Sequence, residues 1–155
     1  MIKEELVFFE NDIKSQDNCL NFMADEIDKC GLLNDKQEYL DAVYKREAEF
    51  STAVGFGVAI PHGMSDAAKE AFIAFMKTEK PIQWGKEKKE VQLIFLIGVP
   101  EHEKNITHLK FISQISKHLI DEKFRQDLLF CKTAKEAFNY LNIINEGIKG
   151  DKSCM

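Results

Sequence analysis

His62 is the residue whose surroundings in the sequence are best suited to chemistry. It lies between Pro61 and Gly63, directly after the apolar, strand-like segment 58–60. Functional groups of α/β proteins commonly lie at strand ends. Pro61 restricts the backbone, and Gly63 allows a sharp turn that leaves one side of the imidazole uncovered. The pattern fits a reactive imidazole, and it fits equally well a turn histidine without a role.

His108 is the second candidate because it precedes Ile112 by four residues on the inward face of a predicted helix. It lies near the N-terminus of that helix, where free N–H groups and the helix dipole favour an anion. The alternative, which the residues alone favour, is a core histidine bonded to backbone groups. His118 projects about 280° further round the helix and is expected at the surface. His102, between two glutamates, is expected in a loop.

Hydrophobic patterning predicts the strands that position these histidines. Apolar runs at residues 6–9, 58–60, 71–76 and 91–99 predict strands, and the segment 81–85 (PIQWG) predicts a turn before the last of them. Because the run at 91–99 is apolar throughout, it needs cover on both faces. We therefore expect an α/β domain with a mixed β-sheet sandwiched between helical layers.

Five segments have the spacing of amphipathic helices, and four of them carry candidate N-terminal caps. The candidate caps are Asp17, Asn34 with Gln37, Asn105 or Thr107, and Thr133 with Glu136. Gly31 is the expected stop signal of the first helix. We expect a single domain over residues 1–149 and a flexible polar tail at 150–155.

Composition excludes several classes of protein. The chain has 155 residues and a net charge of −5, which is unlike the basic footprint of nucleic-acid-binding or lipid-bound proteins. The longest apolar run, 91–99, is shorter than the roughly 20 residues of a membrane helix. The first residues lack the pattern of a secretory signal, and the four cysteines are scattered. We therefore expect a cytoplasmic protein with reduced thiols and no membrane insertion.

Common cofactor and metal motifs are missing from the sequence. Gly55-Phe56-Gly57 is only a fragment of the dinucleotide-binding fingerprint, because Ile60 stands where its third glycine would be. There is no phosphate-binding P-loop, no zinc-protease motif and no serine-hydrolase elbow. We expect neither a metal nor a cofactor.

An ordered set of residues nevertheless resembles one family. Arg46-Glu47, Ser51-Thr52, the segment 55–63 (GFGVAIPHG), the segment 81–85 and His108-Leu109 follow one another as in the enzyme IIA domain of the fructose–mannitol type. This domain belongs to the bacterial phosphoenolpyruvate-dependent sugar phosphotransferase system. The resemblance extends over most of the chain. Ala53-Val54, where the family often has Gly-Ile, is a mild departure.

The resemblance implies a phosphotransferase with a phosphohistidine intermediate. His62 would accept a phosphoryl group on Nε2 from the histidine-containing phosphocarrier protein. It would pass the group to a cysteine of enzyme IIB, which serves the membrane enzyme IIC permease. His108 and Arg46 match residues that support the site. We further expect Thr52 and Gly63 to shape the phosphate pocket.

General chemistry agrees with this assignment. An imidazole is a nucleophile only when neutral, and about three-quarters of ordinary histidines are neutral at pH 7. A phosphoryl group carries roughly −1.5 to −2 charges, which a second imidazole, an arginine fork and backbone N–H groups can stabilise. Phe56 and Met64 are candidates for an apolar rim that docks partners, or for packing inward.

Two further interpretations stay open at this point. The same type of domain can act as a regulatory, nitrogen-type module that signals its phosphorylation state to protein partners. A degenerate domain that is never phosphorylated is disfavoured, because both histidines and the arginine are present. Fructose is the favoured sugar, with mannitol and galactitol as alternatives.

Overall fold

A mixed six-stranded sheet with helices on both faces forms the centre of the molecule. The computed structural model describes residues 1–10, 12–103 and 105–150. The strands are β1 (Ile2–Glu10), β2 (Ala53–Gly55), β3 (Val58–Ala59), β4 (His62–Met64), β5 (Phe72–Trp84) and β6 (Lys89–Val99). The helices are α1 (Gln16–Lys29), α2 (Lys36–Glu49), α3 (Thr107–Leu119), α4 (Glu122–Phe130) and α5 (Ala134–Gly150). A short 3-10 turn spans Glu101–Glu103.

Strand β6 is the central strand of the sheet. It runs antiparallel to β5, and β5 runs parallel to the edge strand β1. On its other side β6 pairs in parallel first with β3 and then with β4. Between these two short strands the Pro61 carbonyl accepts a hydrogen bond from Ile97 N–H at 3.0 Å. Pro61 has no N–H to leave unpaired, so it interrupts the ladder at little cost.

The alternation of side chains along β5 and β6 builds two separate cores. Ala74 and Leu96 point to the core beneath α1 and α2, whereas Phe75 and Phe95 point to the core beneath the other three helices. These four side chains are fully buried. The expectation of a mixed sheet between two helical layers is confirmed.

Two glycines allow β4 to lie close to its neighbours. Gly63 and Gly98 are opposite each other in the pairing of β4 with β6. A Cβ at Gly63 would lie 3.0 Å from Val43 Cγ2 and 3.2 Å from Tyr39 Cε1 in α2. A Cβ at Gly98 would lie 2.3 Å from the ring of Phe72. The two missing side chains therefore let α2 and Phe72 pack directly on the backbone next to His62.

The helix ends differ in detail from the sequence prediction. Ser15, not Asp17, caps α1 by accepting a hydrogen bond from Asn18 N–H, and Asp35, not Asn34, caps α2. These shifts of one or two residues arise because several neighbouring residues can act as caps. The predicted stop at Gly31 fits its φ of +77°, a left-handed conformation that glycine adopts without strain.

Of the predicted caps of the last helices, that of α3 is wrong and that of α5 is confirmed. Neither Asn105 nor Thr107 caps α3, because the N-cap position is Ile106, without a side-chain hydrogen bond. Thr133 is confirmed as a cap, since its Oγ1 accepts a hydrogen bond from Glu136 N–H at 3.1 Å.

The predicted turn at 81–85 is wrong for most of its length. Residues 81–84 belong to β5, and the turn begins only at Gly85, which has a φ of +73°. A register irregularity between Lys77 and Ile82 accommodates Pro81 in the strand. The first strand is also longer than the predicted run 6–9. His62 lies within β4 rather than just after a strand.

The C-terminal helix is tied to the beginning of the chain. Asn145 is buried; its Oδ1 accepts from Ile2 N–H and its Nδ2 donates to the Ile2 carbonyl, both at 2.8 Å. Gly150, the first residue of the predicted tail, is the last residue of α5, and the rest of that predicted tail, residues 151–155, lies outside the described part of the chain. Among the described helices, none is long and apolar enough to cross a membrane.

We expect Gly98→Ala to destabilise the protein, because the new methyl group would overlap the buried ring of Phe72. Overpacking of this kind costs about 1–3 kcal/mol. The measurement is chemical denaturation followed by circular dichroism. The control is Gly150→Ala, where the new Cβ would meet no described residue within 4 Å outside its own turn of helix. Equal free energies of unfolding for the two variants would contradict the packing described above.

Candidate active site

His62 is held by its own backbone segment. Its Nδ1 lies 2.9 Å from the Ile60 carbonyl oxygen, and only 5% of the residue is exposed. Because a carbonyl can only accept, Nδ1 carries the proton in the neutral ring. The lone pair is then on Nε2, which has no hydrogen-bond partner among the described residues. The geometry selects the tautomer that makes Nε2 the nucleophile.

His108 lies next to His62 across the sheet–helix interface. The ring centroids of the two histidines are 4.8 Å apart, with planes tilted by 43°. His108 is the second residue of α3, and its Nε2 is buried without a hydrogen-bond partner among the described residues. An unpartnered buried nitrogen is costly unless a ligand satisfies it. The structure thus brings the two predicted histidines together and leaves a polar atom available beside them.

Arg46 contributes a positive charge to the same place. It lies in the last turn of α2, and its Nη1 donates to the Phe50 carbonyl at 2.7 Å, at the end of that helix. Its charge acts on both imidazoles, lowering the pKa of each. The predicted trio of His62, His108 and Arg46 is therefore grouped, although the three residues come from three different elements.

Both imidazoles are neutral at physiological pH. Burial lowers the pKa of His62 below its usual value; the Ile60 carbonyl, Glu47 and Glu49 oppose this effect, and Arg46 adds to it. The pKa of His108 falls to about 4, first through burial and then through the charges of His62 and Arg46. A neutral ring keeps one lone pair and one N–H, so each histidine can act as a nucleophile or as a donor.

Thr52 and Gly63, the predicted supports of a phosphate pocket, make contacts that the sequence did not indicate, and their role in such a pocket stays a prediction. Thr52 is buried and contacts Glu47 and Trp84 through its side chain. Gly63 lies in β4 without a left-handed φ, so it makes no sharp turn; its role is the close approach of α2. Sequence reasoning missed Trp84 and gave Glu47 no role. In the sequence, Glu47 and Trp84 stood out only as members of the segments that carry the family resemblance.

Exposed apolar side chains flank His108, and another lies on the β2–β3 hairpin, near the other end of α3. Phe56, with a φ of +59° at the tip of the β2–β3 hairpin, is 71% exposed, and Arg125 stacks on its ring at 4.1 Å. Ile106 and Leu109, on either side of His108 in the chain, are 54% and 58% exposed. Met64 is half-buried and packs on the core beneath α3. Of the two predicted rim residues, Phe56 faces solvent and Met64 packs inward.

The other two histidines lie elsewhere. His102 is in the 3-10 turn after β6, with its Nε2 3.6 Å from Glu103. His118 is half-buried rather than fully on the surface, because its ring packs on Phe124 at 5.2 Å. Neither is among the groups whose charge acts on His62.

We expect Arg46→Gln to raise the pKa values of His62 and His108, because a nearby cation disfavours the protonated ring and its removal favours it. The measurement is a pH titration of the imidazole resonances by NMR. The control is Lys45→Gln, which removes the same charge from the neighbouring exposed position. Unchanged pKa values in Arg46→Gln would contradict the grouping of Arg46 with the two rings.

Comparison with known proteins identifies relatives of the whole chain. The family model of the phosphoenolpyruvate-dependent sugar phosphotransferase system, EIIA 2, matches residues 1–143. The fructose-specific EIIA component of Haloferax volcanii is 32% identical over 126 residues, covering 81% of each chain. The multiphosphoryl transfer proteins of Shigella flexneri and Escherichia coli K12 are 29% and 30% identical over 88% of this chain. The chain spans only 16% of the length of these two relatives.

Solved structures show the same fold. The nitrogen regulatory protein IIA-Ntr of Neisseria meningitidis is 25% identical, with a TM-score of 0.80 over 90% of this chain and 95% of that one. A complex of the mannitol enzyme IIA with phosphorylated enzyme IIB, from Escherichia coli, contains a chain that is 20% identical. Its TM-score is 0.75 over 91% of this chain and 98% of that one. With the family model matched over nearly the full length, this chain belongs to the EIIA 2 family of the phosphoenolpyruvate-dependent sugar phosphotransferase system.

Proposed function

We propose that the protein is a phosphoryl carrier of a sugar phosphotransferase system, with His62 as the phosphorylated residue. The observation that carries this proposal is the hydrogen bond from His62 Nδ1 to the Ile60 carbonyl, which leaves the Nε2 lone pair unpaired. Membership of the EIIA 2 family supports the same activity. Burial and Arg46 keep the pKa of His62 low, so the ring is neutral and nucleophilic at pH 7.

In the proposed reaction, His62 Nε2 attacks the phosphorus of a phosphohistidine on the incoming phosphocarrier protein. A new N–P bond forms on His62 as the N–P bond of the donor breaks, and the donor imidazole keeps the electron pair of its bond. The Nδ1–H of His62 stays on the Ile60 carbonyl throughout, which stabilises the positive charge that the phosphorylated ring acquires. No nucleotide, metal or cofactor takes part in this exchange.

His108 and Arg46 stabilise the charge of the transferring group. The buried Nε2 of His108 lacks a partner and lies on a ring 4.8 Å from His62. In the tautomer that carries its proton on Nε2, the neutral His108 ring would donate to a phosphoryl oxygen, and Arg46 supplies a further donor, which is cationic. Because the pKa of His108 is about 4, this donor is neutral at pH 7. A neutral donor holds the phosphoryl group less tightly than a cation would, so the group can leave again.

The proposed partners are proteins that exchange phosphoryl groups with this site in the cytoplasm. The phosphocarrier protein delivers the group and enzyme IIB, through a cysteine, removes it; enzyme IIB in turn serves the membrane permease. The solved mannitol complex places a related enzyme IIA together with phosphorylated enzyme IIB. The exposed residues Ile106 and Leu109, on either side of His108 in the chain, offer an apolar rim beside the site for both partners.

Fructose is the proposed sugar, because the Haloferax volcanii relative is a fructose-specific EIIA component. Mannitol and galactitol remain alternatives, since this domain does not touch the sugar.

A regulatory role is the second candidate function. It is favoured by the similarity to the nitrogen regulatory protein of Neisseria meningitidis. The rate of phosphoryl transfer from the phosphorylated protein to enzyme IIB distinguishes the two functions. A carrier transfers its phosphoryl group to enzyme IIB rapidly, and a regulator does not.

We expect His62→Ala to abolish phosphorylation by the phosphocarrier protein charged with phosphoenolpyruvate, because the nucleophile is gone. The measurement is intact-mass spectrometry before and after mild acid, which cleaves phosphohistidine. His118→Ala, a change at a histidine of α3 that packs away on Phe124, is the control and retains wild-type labelling. An acid-labile phosphoryl group on His62→Ala would overturn the assignment.

We expect His108→Ala to be phosphorylated on His62 roughly 100-fold more slowly, the scale of losing one donor to a transferring oxyanion. Rapid-quench kinetics in both directions measure this effect. Unchanged rates of acceptance and of transfer would remove His108 from the mechanism.

A further inference from the structure

A buried hydrogen-bond network fastens the loop after α2. The Glu47 carboxylate accepts three hydrogen bonds, with Oε2 receiving Thr52 N–H at 2.7 Å and Oε1 receiving both the Thr52 hydroxyl and, at 2.9 Å, Trp84 Nε1–H. Thr52 and Trp84 are 4% and 0% exposed. Hydrogen bonds to an ionised carboxylate are stronger than neutral ones. We refer to Glu47, Thr52 and Trp84 as the carboxylate clamp.

Two hydrogen bonds, one between backbone groups and one from the imidazole to a backbone carbonyl, connect the clamp to the reactive imidazole. The Thr52 carbonyl accepts from Ile60 N–H at 2.9 Å, and the Ile60 carbonyl accepts from His62 Nδ1–H at 2.9 Å. The β2–β3 hairpin that links Thr52 to Ile60 is short, and it pairs Ala53 with Ala59. The position of the Ile60 carbonyl therefore follows the position at which the clamp holds Thr52.

We propose that Glu47 and Trp84 are positioning residues for phosphoryl transfer, which act through Thr52 and the Ile60 carbonyl to fix the tautomer and the orientation of His62. This inference rests on the proposed function of His62. Trp84 ends strand β5, and Glu47 lies in the last turn of α2. The clamp therefore attaches the loop to both the sheet and a helix. A loop held at two rigid elements keeps Nε2 aimed at the incoming phosphorus.

The positioning of the His62 ring by the clamp must be distinguished from the effect of nearby charges on its pKa, because several ionised groups act on His62. Glu47 and Glu49 of α2 raise the pKa of His62, whereas Arg46 of α2 lowers it. His108 faces His62 from α3. Glu49 is exposed and makes no hydrogen bond to a described residue, so Glu49→Gln removes a charge of the same sign without touching the clamp. It is the matched control for Glu47→Gln.

Four variants test the clamp itself. In Glu47→Gln, one carboxylate oxygen becomes an NH2 group that faces a donor of Thr52 or Trp84, so at least one hydrogen bond is lost. Trp84→Phe keeps an aromatic ring and removes only the Nε1–H donor and the second ring. Thr52→Val removes the hydroxyl at nearly constant shape, and Thr52→Ser restores it.

Two measurements are made on each variant. ¹⁵N NMR of the imidazole at pH 8, where the rings are neutral, reports the tautomer of His62. Steady-state kinetics with the phosphorylated phosphocarrier protein report kcat and KM. Circular dichroism and thermal unfolding establish that each variant is folded at the temperature of the assay.

We expect the Nδ1–H tautomer to dominate in the wild type, in Glu49→Gln and in Thr52→Ser. We expect a mixture of tautomers in Glu47→Gln, Trp84→Phe and Thr52→Val. In these three variants kcat falls roughly 10- to 100-fold with little change in KM, the scale that misplacement of a reacting group produces.

A purely structural role would lower the melting temperature and leave the tautomer and kcat as in the wild type; that result in Glu47→Gln and Trp84→Phe overturns the proposal. An equal loss of kcat in Glu49→Gln also overturns it, because charge would then suffice. If wild-type His62 accepts no phosphoryl group, the proposed function fails instead. The tautomer measurement needs no phosphoryl donor and still decides whether the clamp positions the ring.

Discussion

The close packing of the short strand β4 between β6 and α2 is the constraint on which the site depends. Strand β4 is only three residues long, and it is held between β6 and α2 because Gly63 and Gly98 present no side chain there. This packing places the end of α2 so that the charge of Arg46 lowers the pKa of the imidazole. On the opposite face the ring meets the start of α3 and His108. The absence of side chains at Gly63 and Gly98 thus determines where the charged groups of the site lie.

The electrostatics of the site follow from that packing. Two imidazoles and a guanidinium act on one another in a partly desolvated place, so protonation of either ring is opposed by burial and by the charge of Arg46. In the proposed phosphorylated state, a dianionic phosphoryl group would reverse this balance, because it attracts the charges that repel a proton. On the proposed function, the donors and the positive charge are in place before the phosphoryl group arrives, which is how preorganised sites reduce reorganisation during transfer.

Much of the architecture could be predicted from periodicity. The continuous apolar run at residues 91–99 and the amphipathic helices were sufficient for a mixed sheet between helical layers, and His62 stood out through its neighbours Pro61 and Gly63. The role of Gly63 was misjudged, because close packing on Tyr39 and Val43 is a long-range contact that leaves no local signal. The grouping of Glu47 with Trp84 was likewise hidden. The two residues are 37 positions apart, and they meet only because β5 continues through Pro81.

The hydrogen bonds between Asn145 and Ile2 have a consequence for association between molecules. Strand β1 lies at one edge of the sheet, where free N–H and C=O groups can template pairing with another chain. The Asn145 amide offers one acceptor and one donor to Ile2, the same pair of contacts that a residue of a neighbouring strand would make. Helix α5 thus covers the beginning of edge strand β1 with the Asn145 side chain, whose amide makes the hydrogen bonds that a backbone amide would make. Edge-to-edge aggregation is blocked at this position without a further strand.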